Sequence, residues 1–155
     1  MLICRLILLT LASVWGMAVE AADFSDYKPT SLAKAWSEAT VLKGADYTIE
    51  ALNIKYVVDG SYTGQHREVG KGRHELLRRW AKSLSHPPHF ADMFEHEIAI
   101  DASKKTYWLA LQNQLVEPFA AEAKTGSRIR LHIMYIGAVG EDRLFVINRF
   151  EVLSQ

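Results

Sequence analysis

Five of the six histidines fall between positions 66 and 96. His86-Pro87-Pro88-His89, with His96 beyond it and Glu95 and Glu97 alongside, could present imidazoles and carboxylates to zinc or copper. Two prolines hold that stretch extended, however, and no spacing matches an established metal motif. Histidines on a polar surface loop are the expectation, with His86, His89 and His96 as the metal-binding alternative of a small metal-dependent hydrolase. A second group alternates along one segment near the end of the chain. Arg128, Arg130 and His132 stand between Ile129, Leu131 and Ile133, and Arg149 returns on the following segment. The planar fork of arginine suits carboxylate, phosphate or acidic sugar, so these four are the candidate ligand-binding residues.

Catalytic signatures are missing from the sequence. There is no Gly-x-Ser-x-Gly elbow, His-Glu-x-x-His, phosphate loop or dinucleotide fingerprint. Glu95 and Glu97 should project together from one strand into solvent, without the burial that raises a catalytic carboxyl pKa. The one cysteine, Cys4, lies in the leader described next, which leaves the rest of the chain without thiol or disulfide chemistry. The expectation therefore leans away from an enzyme and includes no cofactor.

Residues 1–21 read as an export signal. Arg5 precedes an apolar run from Leu6 to Val19, and Val19-Glu20-Ala21 puts small residues where a signal peptidase needs them. The run is too short and too interrupted to cross a bilayer, so no transmembrane anchor is expected in the mature chain. Residues 22–155 are then a single periplasmic or secreted domain. Lys plus Arg and Asp plus Glu both total 18, and a neutral chain offers no general attraction for nucleic acid.

The elements that position these residues follow from periodicity. Thr30 or Ser31 caps a short helix with Leu32, Trp36 and Ala39 on its inner face. Residues 46–58 alternate, with Leu52, Ile54, Tyr56 and Val58 on the core side. Asp59-Gly60 then signals a hairpin turn back to a polar edge strand ending near Val69. Arg73 to Leu84 forms a basic helix with an inner stripe of Leu76, Leu77, Trp80, Ala81 and Leu84. That stripe suits a protein core better than a membrane surface. Strands follow over 94–100 and 106–111, joined by a turn over 101–105. Trp36, Tyr107 and Trp108 could stack on sugars, although their periods match core positions. Leu111, Leu115, Phe119 and Ala123 sit four apart, so a third helix begins near Asn113, with Pro118 awkward inside it, or at Pro118 itself, and Gly126 caps it.

The final hairpin turns about Val139-Gly140. Its expected register sets Arg130 against Arg149, His132 against Ile147 and Tyr135 against Leu144. Leu144, Val146, Asn148, Phe150 and Val152 then point inward.

This order of helices and hairpins gives an α+β domain with a mainly antiparallel, strongly curved sheet. In element order alone it resembles a partly open OB-like barrel of five to six strands with two or three helices. A cystatin-like or NTF2-like cone is the competing likeness. The functional expectation is a small exported, non-enzymatic binding or assembly protein. Its partner would be another protein or an anionic small molecule or oligosaccharide, held on a sheet face. An inhibitor or immunity-type protein that masks another exported protein is the alternative, and it requires a protruding loop or exposed apolar patch.

Overall fold

The computed structural model describes residues 23–153, and the expected leader lies outside them. A short strand β1 (Lys28–Pro29) leads into α1 (Leu32–Glu38). Ser31 caps that helix by accepting the Lys34 N–H at 3.2 Å, as a serine just before the first turn should. Leu32 and Ala35 are buried, and Trp36 stacks on Phe145 and meets Tyr107 edge-on. β2 (Tyr47–Ile49) and the long β3 (Lys55–Glu68) follow. Leu52 belongs to neither strand and is 81 % exposed, against the inward position its alternation suggested.

β3 runs straight through Asp59-Gly60, where a hairpin was expected. Gly60 answers a close approach here and not a turn, because a Cβ at that position would collide with Ile100. β3 also changes partner there. Lys55–Ser61 pairs with Met134–Arg128 on one side, and Ser61–Glu68 pairs with Asp101–His96 on the other. The tight turn comes later, at Ser103-Lys104, whose φ values of 50° and 64° lie in the left-handed region that such a turn needs, without glycine.

α2 (Lys71–Ser83), a 3-10 turn (Pro88–Met93), β4 (His96–Ala102) and β5 (Lys105–Leu111) come next. α3 (Asn113–Glu122) carries Pro118 inside it and starts five residues sooner than that proline. Pro118 cannot bond the Gln114 carbonyl, but Gln114 is exposed and water can serve instead. The helix stops at Ala123, whose N–H bonds the Phe119 carbonyl; Gly126, with φ 86°, lies beyond the cap and bonds Tyr62.

β6 (Arg128–Val139) and β7 (Asp142–Val152) form the long terminal hairpin. The sheet has seven strands in the order β1-β3-β4-β5-β7-β6-β2, with a further pairing between β3 and β6. Pairs are antiparallel except β1 with β3 and β5 with β7. Five strands thus return on themselves in a circuit β3-β4-β5-β7-β6-β3. With the three α-helices of the described residues, the fold is α+β and its sheet mostly antiparallel.

Each face of this sheet has its own core. Ile98, Ile100, Leu109, Ile129, Leu131, Ile133, Tyr135 and Phe145 form one, joined by Leu32 of α1 and Phe119 of α3. Leu76, Leu77 and Trp80 of α2 form the other against Ala110, Met134, Ile136, Leu144 and Val146. α2 therefore covers the face of the terminal hairpin that carries Leu144 and Val146, while Trp36 of α1 covers Phe145 on the other. Among the described residues no helix is long and apolar enough to cross a membrane.

Two irregularities in β6–β7 overturn the expected register. Arg130 opposes Glu151 and His132 opposes Arg149; a shift then sets Ile133 against Ile147 and Tyr135 against Phe145. Past a second shift Gly137 meets Leu144. Each shift moves one strand by a residue, which exchanges its faces. Leu144 and Val146 consequently belong to the α2 core, while Phe145 and Ile147 point into the other.

Candidate functional site

The candidate residues Arg130, His132 and Arg149 lie on one face of β6 and β7, beside Val57 and Asp59 of β3. Register fixes this: Val57 opposes His132, Asp59 opposes Arg130, and Arg149 opposes His132 from the other side. The feared Arg130–Arg149 opposition does not form. Arg130 instead donates from Nε and Nη2 to the two carboxylate oxygens of Asp59, at 2.9 and 3.2 Å. Hydrogen bonding to Asp59, then its charge, raises the Arg130 pKa.

A hollow of about 510 Å³ opens beside this pair, lined by Pro29, Thr30, Ser31, Val57, Asp59 and Arg130. A second hollow of about 210 Å³ shares Ser31 and Asp59 with it and carries Arg128, Ser103 and Gly60. Arg128 and Arg130 thus each serve one of two adjoining concavities. His132 and Arg149 line neither.

The segment before β1 covers His132. Phe24 and Tyr27 meet its ring edge-on at centroid distances of 4.9 and 5.2 Å, and the Arg149 guanidinium lies 5.3 Å from the Phe24 ring centre. The Tyr27 hydroxyl accepts a hydrogen bond from Asn148 at 2.7 Å. His132 is 9 % exposed, and its Nδ1 is the buried side-chain nitrogen that has no hydrogen-bond partner among the described residues. Burial first, and then Arg149, lowers its pKa.

Glu95 and Glu97 do not act as a pair. Glu95 is exposed, whereas Glu97 is wholly buried, accepting from Arg67 Nε at 2.7 Å and from Arg73 Nη1. Arg73 stands in the first turn of α2. It is 8 % exposed and also reaches both oxygens of Asp142 and the Arg143 carbonyl. Burial pulls the Arg73 pKa down, but Asp142 and Glu97 together outweigh it and raise it. Arg67 lies 4.1 Å over the Trp108 ring, while Tyr107 and Trp36 pack in the core.

The remaining histidines scatter. His86 stacks between Trp80 and Phe90, His89 is exposed on the 3-10 turn, and His96 lines a hollow of about 270 Å³ with His74, Glu68 and Glu95. Among the described residues no group of three or more His, Cys, Asp or Glu could hold a metal ion.

Asp59, Ser31 and the Phe24–Tyr27 pair escaped the reading of the sequence. Asp59 looked like a turn residue, and its partner lies 71 positions away. Two aromatics three apart in an otherwise polar lead-in were the available signal for the cover over His132. No family model matches the chain, and no curated protein matches it.

Proposed function

We propose that this chain is a small exported, periplasmic or secreted, non-enzymatic binding or assembly protein that takes an anionic ligand or the acidic side chains of a protein partner. The closed circuit of five strands, with the last two inserted between β5 and β3, supports reading the domain as an OB-like barrel. Such barrels present a strand face and adjacent loops to extended ligands.

The observation that carries the function is the pair of adjoining hollows, each with one arginine and both bordered by Ser31 and Asp59. Arg130 spends two of its five N–H donors on Asp59, so a guest carboxylate or phosphate can engage the others. Both members of that pair are part-exposed, at 43 % and 39 %, and such pairs open at little cost.

Titrating the ¹⁵N-labelled protein at neutral pH with oligogalacturonate, and separately with hexaglutamate, tests the proposal. Amide shifts should cluster at Thr30, Ser31, Asp59, Arg128 and Arg130, and Arg128→Glu with Arg130→Glu should abolish them. Unchanged shifts in that double variant would discard the face.

The inhibitor or immunity-type reading is favoured by one feature elsewhere. Leu52 is 81 % exposed at the tip of a short loop, where the Glu50 side chain accepts the Leu52 N–H at 2.8 Å and Trp80 bonds the Glu50 carbonyl. A braced loop that presents a bare leucine is the kind of projection such a protein needs.

A further inference from the structure

The cationic face just described is only partly open. Residues 23–27 lie over its β6–β7 half, hinged where Lys28 and Pro29 pair with Tyr56 and Val57. Their hold comes from few contacts: the Asn148–Tyr27 bond, a 2.6 Å ion pair between Asp26 and Lys55, the two rings against His132, and Arg149 and Lys55 at the Phe24 and Tyr27 rings, with Tyr27 buried.

We infer that residues 23–27 are a pH-sensitive latch: when His132 takes a proton, Phe24 and Tyr27 lift away and Arg130, His132 and Arg149 become one anion-binding surface. The inference deepens the proposed function and rests on that reading for the ligand, though not for the motion.

The geometry carries it. A neutral imidazole tolerates two aromatic rings, but an imidazolium needs acceptors for both of its N–H groups. Nδ1 has none. The charged groups around the ring are unfavourable on balance. Arg149 and Glu151 face it from β7 and Arg130 from its own strand, two cations against one acid. Lys55 of β3 stands 5.4 Å over the Tyr27 ring and occupies Asp26, the other latch carboxylate, Asp23, accepts the Ser25 N–H at 2.8 Å, and neither acid is among the charges acting on the ring. Lifting the rings admits water or an anion to Nδ1 and relieves the burial of the charge.

The direction follows from linkage. The closed form holds His132 below its ordinary pKa of 6.5. The closed latch therefore keeps its full stability well above that value and loses it as pH falls through and below it. If the closed form cannot charge at all, the open-to-closed ratio rises about 30-fold between about pH 7.5 and about pH 5.0.

Two measurements on the full chain separate the latch from the ligand. The first is hydrogen exchange at the Tyr27 amide, which bonds the Phe24 carbonyl, together with cross-relaxation between the His132 ring and Phe24. After correction for intrinsic exchange, protection should fall by up to about 30-fold on acidification. His132→Phe keeps an aromatic contact and cannot charge, so it should stay protected at both pH values. Arg149→Gln removes one repelling charge and should need a lower pH to open. Equal protection at both pH values in the native chain would overturn the latch, as would acid opening of His132→Phe.

The second measurement is binding of sulfate, whose charge is constant across this window. Affinity should rise on acidification, and Phe24→Ala with Tyr27→Ala should bind more tightly than the native chain at about pH 7.5, where only the native latch is closed. Opening without any gain in sulfate affinity would overturn the anion surface and the functional reading while leaving the motion established.

Discussion

Replacing Arg73 by methionine asks whether the charged knot beneath α2 holds the domain together. Arg73 ties α2 to β4 through Glu97 and to the terminal hairpin through Asp142 and the Arg143 carbonyl. Methionine keeps much of the aliphatic stem but leaves the fully buried Glu97 carboxylate with Arg67 alone, whose side chain is 44 % exposed. Removing one partner from a buried pair costs about 3–5 kcal/mol, because the orphaned charge stays buried. Asp142 adds little, since at 58 % exposure water replaces the guanidinium. With a urea slope of about 2 kcal/mol/M, the midpoint should fall by about 1.5–2.5 M, and Tm by about 10 °C. Glu97→Gln in the Arg73→Met background is the discriminating arm. A neutral amide needs no cation, so the double variant should recover at least about 1.5 kcal/mol over Arg73→Met. Urea melts followed by circular dichroism measure both. A loss below about 1 kcal/mol, or a double variant no more stable than the single one, would refute the claim that stranding a buried charge is what costs stability.

Tyr135 and Leu52 yield sharper readouts at smaller cost. Burial pushes the Tyr135 pKa up to about 12, and its hydroxyl donates to the Thr40 carbonyl. The raised pKa means stability from the neutral phenol is intact below pH 10 and lost as pH climbs towards 12. Tyr135→Phe should cost about 1 kcal/mol at neutral pH and remove the last tyrosinate absorbance step from an alkaline titration. Leu52→Asp should change stability by less than about 0.5 kcal/mol, as an exposed side chain contributes little to packing. If the loop masks another exported protein, the same change should abolish protection from that target in cells; full protection would remove the loop from the interface.

The parts of the fold that were legible are those in which burial acts on one face at a time. Leu76, Leu77, Trp80 and Ala81 are each at or below 1 % exposure, because a helix against one core must repeat its apolar side at helical spacing. β6 was readable for the same reason, with Ile129, Leu131 and Ile133 alternating against arginines. Its register with β7 was hidden because both faces near the hairpin loop are apolar. A one-residue shift there exchanges one core for another and leaves no trace in polarity. Asp59-Gly60 misled in another way, since glycine serves close backbone packing as well as turns, and here Ile100 requires the space. The turn at Ser103-Lys104 holds no glycine and was legible from the polar run between two alternating segments. Alternation did place Arg130, His132 and Arg149 together. It could not supply Asp59 as a partner, or Phe24 and Tyr27 as a cover, because both meet the face only through the sheet's tertiary pairing.

The contrast between two arginines argues for where function resides. Arg73 and Arg130 each grip an aspartate with two N–H groups. Arg73 also lines a hollow, of about 400 Å³, but it adds Glu97 and a backbone carbonyl and is buried, so an incoming anion would have to displace several partners. Arg130 has one acid, stands at a hollow and is open to water. The first arrangement resists exchange and the second permits it. His132 sits beside the exchangeable arginine and, among the described residues, carries the buried side-chain nitrogen that has no partner. Glu97, with no exposure at all, has both its oxygens bonded, yet the imidazole Nδ1 is left dry beneath two rings on a short hinged segment. A sheet that satisfies a buried carboxylate so completely has donors and acceptors enough to satisfy one nitrogen. Leaving that nitrogen bare under a light cover makes the cost of the closed state depend on a proton, and it does so at the end of the face where an anion would extend its contacts beyond Arg130.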